Sequence, residues 1–217
     1  MPREIVVEPL GPGESHEAEG WSVLRGEDSV TVAAPDGTRV RVELAPRPGG
    51  SSSANRVLVL GGARSGKSAY AESRLEAAAA VTYVATALPR PDDPEWAARV
   101  AAHRLRRPVT WTTVETTDVA GVLRAAEAPV LVDCVSLWLG AHLDDPALDE
   151  FADELLAAWA ARRLPVIAVS SEVGSGVVPV SAAGRRYRDE LGRLNARLAA
   201  TADEVWLLTA GLPRRLR

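Results

Sequence analysis

Lysine is almost absent from this chain: of 217 residues only Lys67 is one, and every other fixed cation is arginine. A composition that avoids lysine elsewhere keeps it where a compact ammonium is required rather than a planar guanidinium. Cysteine is equally scarce. Cys134 stands alone, which excludes an internal disulfide framework and suits a reducing compartment. No apolar run approaches the length of a membrane span and no signal-peptide core opens the sequence, so the expected location is the cytoplasm. Positive charge is not in excess either. A net charge of −4 gives no support for a general nucleic-acid surface. Nothing repeats at a fixed period, which excludes repeat architectures. With 47% hydrophobic and 25% charged residues, the chain should bury a normal core. Its length suits one ordinary domain with an appendage.

The lone lysine lies in GGARSGKS, residues Gly61, Gly62, Ala63, Arg64, Ser65, Gly66, Lys67 and Ser68. This fits the phosphate-binding pattern G-x-x-x-x-G-K-[ST]. The run Val57-Leu58-Val59-Leu60 before it reads as a strand, and the residues after it read as a helix. Glycines let the backbone wrap a phosphate, and the N–H groups then face the anion. Lys67 is expected to reach the β/γ-phosphates and Ser68 to ligate Mg²⁺. The competing interpretation is a Gly-rich turn of another fold, which the strand–loop–helix context disfavours.

Around this motif the chain divides. Residues 1–45 read as a small β appendage, with strands near 5–7, 21–24, 29–32 and 38–42 and a turn at Pro35-Asp36-Gly37. His16, among Glu14, Glu17 and Glu19, reads as a solvated loop residue. Residues 46–54, rich in Pro, Gly and Ser, form a linker. Residues 55–217 alternate strand-like runs (57–60, 82–86, 109–114, 130–134, 166–170, 205–209) with helix-like ones (67–79, 95–104, 118–126, 148–163, 185–200). The expected fold is α/β: a P-loop NTPase with a mainly parallel sheet and helices on both faces. Ligands of such sheets bind at the carboxyl ends of the strands.

Several polar residues fall at those ends. Asp133 closes the run Val130-Leu131-Val132 and is the candidate second magnesium carboxylate, placed by analogy on the strand beside the phosphate loop. The Gly-rich segment SEVGSGVVP (171–179) is either a plain crossover or a substrate-facing loop with Glu172 at its base. His103 shares a helical face with Trp96 and Val100, as a core histidine would. Arg99, Arg104, Arg106 and Arg107 surround it in sequence; they would favour a neutral, nucleophilic imidazole. Chemistry alone leaves both readings open. His142 reads as a loop residue, and Tyr187, Leu191, Leu194 and Leu198 as a packing stripe.

From about Val57 to Arg217 the sequence resembles the bifunctional adenosylcobinamide kinase / adenosylcobinamide-phosphate guanylyltransferase family of cobalamin synthesis. The similar stretches are GGARSGKS (61–68), TYVATA (82–87), ARVAAHRLRRP (98–108), TVE (113–115), LVDCVSLWL (131–139), SEVGSGVVP (171–179) and YRDELGRLNARLAATADEVWLLTAG (187–211). The resemblance implies a RecA-like sheet and two activities. One phosphorylates adenosylcobinamide with ATP or GTP. The other transfers GMP from GTP, through a histidine, to adenosylcobinamide phosphate. The family's GMP-carrying histidine corresponds to His103. Its nucleotide site corresponds to Gly61–Ser68, Arg106, Arg107, Pro108, Glu115 and Asp133. Mg²⁺ held by Ser68 and Asp133, GTP and ATP as substrates, and a homotrimer are further implications. The chain departs from the family at Ala102-His103, where some members have two histidines, and at Asn195-Ala196, where Asn-Gln is frequent. Residues 1–55 lie outside the resemblance.

The rival of the same fold is a P-loop kinase of another small metabolite, which needs no covalent nucleotide. A regulatory GTPase would normally carry N-K-x-D, which a chain without a second lysine cannot contain. A nucleic-acid ATPase is disfavoured by the acidic balance.

Overall fold

The computed structural model describes residues 15–18, 21–25, 29–35, 39–43, 55–87 and 107–217. The chain forms two compact units, Met1–Gly50 and Ser51–Arg217. In the first, β1 (Ser15–Ala18), β2 (Trp21–Arg25), β3 (Ser29–Ala33) and β4 (Arg39–Glu43) build a four-stranded antiparallel sheet in sequence order. The alternation that marks β3 and β4 sets their register, with Val30 opposite Val42 and Val32 opposite Val40. His16 belongs to β1, opposite Val23, and not to a loop. Pairing with β2 overrides the local run of acidic residues that reads as irregular chain. The strand expected at 5–7 lies outside the described residues.

The second unit carries the site. Its strands are β5 (Arg56–Gly61), β6 (Val81–Ala85), β7 (Trp111–Glu115), β8 (Val130–Asp133), β9 (Val166–Ser171), β10 (Glu204–Thr209) and β11 (Leu212–Arg215). They form one sheet in the order β11-β10-β5-β9-β8-β6-β7. All neighbours are parallel except β10 and β11, which form a hairpin. The described helices are α1 (Lys67–Ser73), α2 (Val119–Ala125), α3 (Val135–His142), α4 (Leu148–Ala161) and α5 (Ala182–Thr201).

The short uninterrupted apolar strands are buried on both faces, as a sheet between helical layers requires. Leu58, Val132 and Ala168 pack with Trp138, Leu155, Trp159 and Leu191 on one side. Val57, Val59, Leu131 and Val169 pack with Tyr70 and Ala71 of α1 on the other. Helix starts are capped locally: Asp118 Oδ1 accepts from Gly121 N at 2.8 Å, and Ser181 Oγ accepts from Gly184 N at 3.1 Å. Arg162 is buried and donates to the carbonyls of Leu123, Ala126 and Ala128, satisfying the end of α2 with a cation where the helix dipole favours one. Burial also pulls its pKa down.

Three elements depart from expectation by more than a few residues. Helix α1 ends at Ser73, not 79, because a turn at 74–77 closes it. Helix α3 is additional; its apolar run is continuous with β8, so periodicity cannot separate strand from helix. His142 is consequently the last residue of α3 and not a loop residue. Strand β11 is also additional, since its Pro213 and two arginines weaken any strand pattern. The helix expected at 95–104 lies outside the described residues.

Candidate active site

At Gly61 the P-loop strand ends against its neighbours. A Cβ there would stand 2.9 Å from the Leu208 carbonyl oxygen and would collide with Ser65 Oγ, so only glycine fits. The loop then turns through Arg64 (φ 55°) and Gly66 (φ 88°), both left-handed. Gly66 supplies the reversal at no side-chain cost and is the N-cap of α1. Its carbonyl accepts from Tyr70 N at 2.9 Å, starting the helix. Ser65 is buried, and its carbonyl accepts from Gly211 N at 3.0 Å, so the turn between β10 and β11 braces the loop from behind. Ala210 (φ 51°) and Gly211 (φ 82°) give that turn the twist a tight hairpin needs. Lys67 opens α1 and donates to the Gly62 carbonyl at 3.0 Å. The loop's lysine and backbone are therefore gathered at one place, where a polyphosphate would meet them.

Asp133 stands at the carboxyl end of β8. It is not on the strand beside the P-loop: β9 lies between β5 and β8. The aspartate nevertheless reaches across, and Oδ1 accepts from Ser68 Oγ at 3.3 Å. Its other oxygen, Oδ2, accepts from the Tyr83 hydroxyl at 2.6 Å. Burial first, and then the Asp133 charge and hydrogen bond, push the Tyr83 hydroxyl well above its usual pKa, so it stays a donor. Over the Tyr83 ring lies the Arg107 guanidinium, 3.5 Å from the centroid, with Nη1 donating to Thr113 Oγ1 at 2.9 Å. Thr86 fixes the next residue, accepting from Cys134 N at 3.0 Å and donating to its carbonyl at 2.7 Å. Glu115 closes β7, and Ala85 of β6 is the register partner of both Glu115 and Asp133. The two carboxylate residues thus sit in one row at the ligand edge, two strands apart. Tyr83 and Thr86 are absent from the residues singled out in the sequence, although both lie in the TYVATA stretch.

The Gly-rich segment after β9 is ordered by its own acid. Glu172 Oε1 accepts from Gly174 N at 2.7 Å, while Glu172 N donates to the Gly61 carbonyl at 3.1 Å. Beside it, Ser136 Oγ and Ser171 Oγ are 3.1 Å apart, and Asn195 Nδ2 donates to the Ser171 carbonyl at 3.0 Å. Tyr187, read as a packing residue, also donates its hydroxyl to the Ser136 carbonyl at 2.9 Å. His142 lies between the Trp138 and Phe151 rings, each centroid 4.9 Å away, which is a packing position. A cleft of about 590 Å³ lined by Leu123, Arg124 and Ala158 is at the amino edge of the sheet, away from Lys67. Pro108 leads into the amino end of β7, the end opposite Glu115, and its carbonyl accepts from Trp111 N at 3.0 Å. His103 and Arg106 lie outside the described residues.

Ser68 and Asp133 offer hard oxygens 3.3 Å apart, and Mg²⁺ takes few protein ligands when phosphates supply the rest. The donor set fits that ion. No helix among the described residues is long and apolar enough to cross a membrane.

The strand order around β5 and the loop that wraps into α1 place the chain in the P-loop NTPase class, on a mainly parallel RecA-like sheet with helices on both faces. A model of the cobinamide kinase / cobinamide phosphate guanyltransferase family matches residues 57–216, and the chain belongs to that family. The bifunctional adenosylcobalamin biosynthesis protein CobP of Pseudomonas aeruginosa is 45% identical over 170 residues, covering 75% of this chain and 97% of that protein. Its counterpart CobU of Salmonella typhimurium is 37% identical over 181 residues, covering 74% and 99%. Among solved structures, a type III secretion ATPase of pathogenic bacteria aligns with a TM-score of 0.48 at 14% identity, over 71% of this chain and 51% of that one.

Proposed function

We propose that this chain is a bifunctional enzyme of cobalamin nucleotide-loop assembly, an adenosylcobinamide kinase and adenosylcobinamide-phosphate guanylyltransferase. The observation that carries the reading is the meeting of Ser68 and Asp133 across β9, beside Lys67, in a chain of this family. In the first reaction the substrate hydroxyl oxygen attacks the γ-phosphorus of ATP or GTP. The bond to the β,γ-bridging oxygen breaks, the nucleoside diphosphate leaves, and the hydroxyl proton is released. Lys67 and the N–H groups of Gly62–Ser68 hold the phosphates and offset the charge that develops on them. Ser68 and Asp133 would hold Mg²⁺, which supplies further charge neutralisation at the phosphates.

In the second reaction the His103 imidazole attacks the α-phosphorus of GTP, and pyrophosphate leaves. The phosphate oxygen of adenosylcobinamide phosphate then displaces histidine from the GMP phosphorus. Adenosylcobinamide-GDP forms and the imidazole is regenerated. Arg106, Arg107, Pro108 and Glu115 complete the nucleotide site in this reading. The neighbouring arginines favour the neutral, nucleophilic ring. The protein works in the cytoplasm as a homo-oligomer, a trimer by family likeness.

The test is incubation with α-labelled GTP followed by denaturing electrophoresis. Acid-labile, alkali-stable label on the chain is the expected result, as a phosphoramidate gives. Kinase turnover without label would favour the kinase of another metabolite.

A further inference from the structure

Asp133 has one oxygen directed to Ser68 and the other to Tyr83. A carboxylate on a short side chain rotates about its last bond unless both oxygens are engaged, and a metal or its bound water needs one particular rotation. The Tyr83 hydroxyl contact, at 2.6 Å, is the shorter of the two and comes from a buried side chain on the adjacent strand β6. Tyr83 is itself held: its ring is covered by the Arg107 guanidinium, and Arg107 is tied to Thr113 on β7. Strand β7, Arg107, Tyr83 and Asp133 thus form one line of contacts ending at Ser68.

We propose that Tyr83 is a positioning residue, whose hydroxyl fixes the rotation of the Asp133 carboxylate so that its Oδ1 faces the Ser68 hydroxyl and the divalent cation bound there. The proposal rests on the nucleotide-site reading above and adds to it a residue that touches neither nucleotide nor metal. Groups that orient a metal's ligands typically change metal affinity or activity by about 10–100-fold when removed. A tyrosine serving only to satisfy a buried charge would instead affect folding and nucleotide binding alike.

The experiment is calorimetric titration of the full chain with GDP, once in EDTA and once in excess Mg²⁺, for wild type, Tyr83→Phe, Asp133→Asn and the double variant. Y83F keeps the ring under Arg107 and removes one oxygen. In EDTA, Y83F should bind GDP within about twofold of wild type. The tightening produced by Mg²⁺ should fall by about tenfold. In the D133N background Y83F should have no further effect on that tightening, because the hydroxyl acts through the carboxylate. An unchanged Mg²⁺ effect in Y83F overturns the proposal. So does equal loss with and without Mg²⁺, a further loss in the double variant, or a Y83F chain that does not fold. Wild type that fails to bind GDP under either condition overturns the nucleotide-site reading itself, a result distinct from all of these.

Discussion

The two sheets of this chain are built on different principles. In the first unit each strand pairs with the next one in sequence, antiparallel, and the described side chains of β2 and β3 are half-buried or exposed. In the second unit, β5 through β10 are parallel, and strands adjacent in the sheet are mostly not consecutive in the chain. Its central strands are buried on both faces. The parallel arrangement stacks strand ends of distant sequence into one edge, where Gly61, Ala85, Asp133, Glu115 and Ser171 come together. A meander sends successive strands in opposite directions and gathers no such edge. The chemistry therefore belongs to the second sheet.

Perturbing the two sheets sharpens that contrast. The largest effect is expected from His103→Asn, which keeps roughly the size and polarity of the side chain but cannot form or release a phosphoramidate. Label from α-labelled GTP and formation of adenosylcobinamide-GDP should both vanish, while phosphorylation of adenosylcobinamide, followed by chromatography on the same preparation, continues. Loss of both activities in a folded protein would mean that the two reactions share His103. Next, Lys67→Ala should slow both reactions by about a hundredfold or more, the scale of a lost electrostatic clamp. Near-normal turnover would sink the P-loop assignment. Leu58→Ala, in the buried centre of β5, should lower stability by about 2–5 kcal/mol in urea titrations. A change below 1 kcal/mol would show that this part of the core is loosely packed. The smallest effect is expected from removing residues 1–53: turnover within about twofold of the full chain, as a separately folded appendage implies. An inactive or insoluble product would show that the first sheet supports the second.

Much of the second unit is legible in the sequence because its signals are local. The run Val57–Leu60 and the loop Gly61–Ser68 declare themselves within a few residues. Legibility fails where one apolar run serves two elements, as from Val130 to Leu139, which β8 and α3 divide. It fails at β11, where pairing with β10 overrides a sequence containing proline. In the site, Lys67, Ser68 and Asp133 are visible because the motif and the strand end mark them. That β9 comes between the strands of Gly61 and Asp133 is a matter of sheet order, which spacing does not encode. Tyr83 was hidden for a related reason. Inside an apolar strand a tyrosine reads as core, and only the register of β6 against β8 brings its hydroxyl to the aspartate.

The brace behind the phosphate loop has a consequence for how the protein comes into being. Gly61 is seated against Leu208, and Ser65 is held by the N–H of Gly211. Ribosomes release a chain from its amino end, and domains fold as their parts emerge. A nascent chain that has reached Ala200 already contains the whole of GGARSGKS but not the strand and turn against which that loop rests. The cradle for a nucleotide is therefore unfinished until β10 and β11 have emerged. Nucleotide capture would mark a chain in which β10 and β11 are in place.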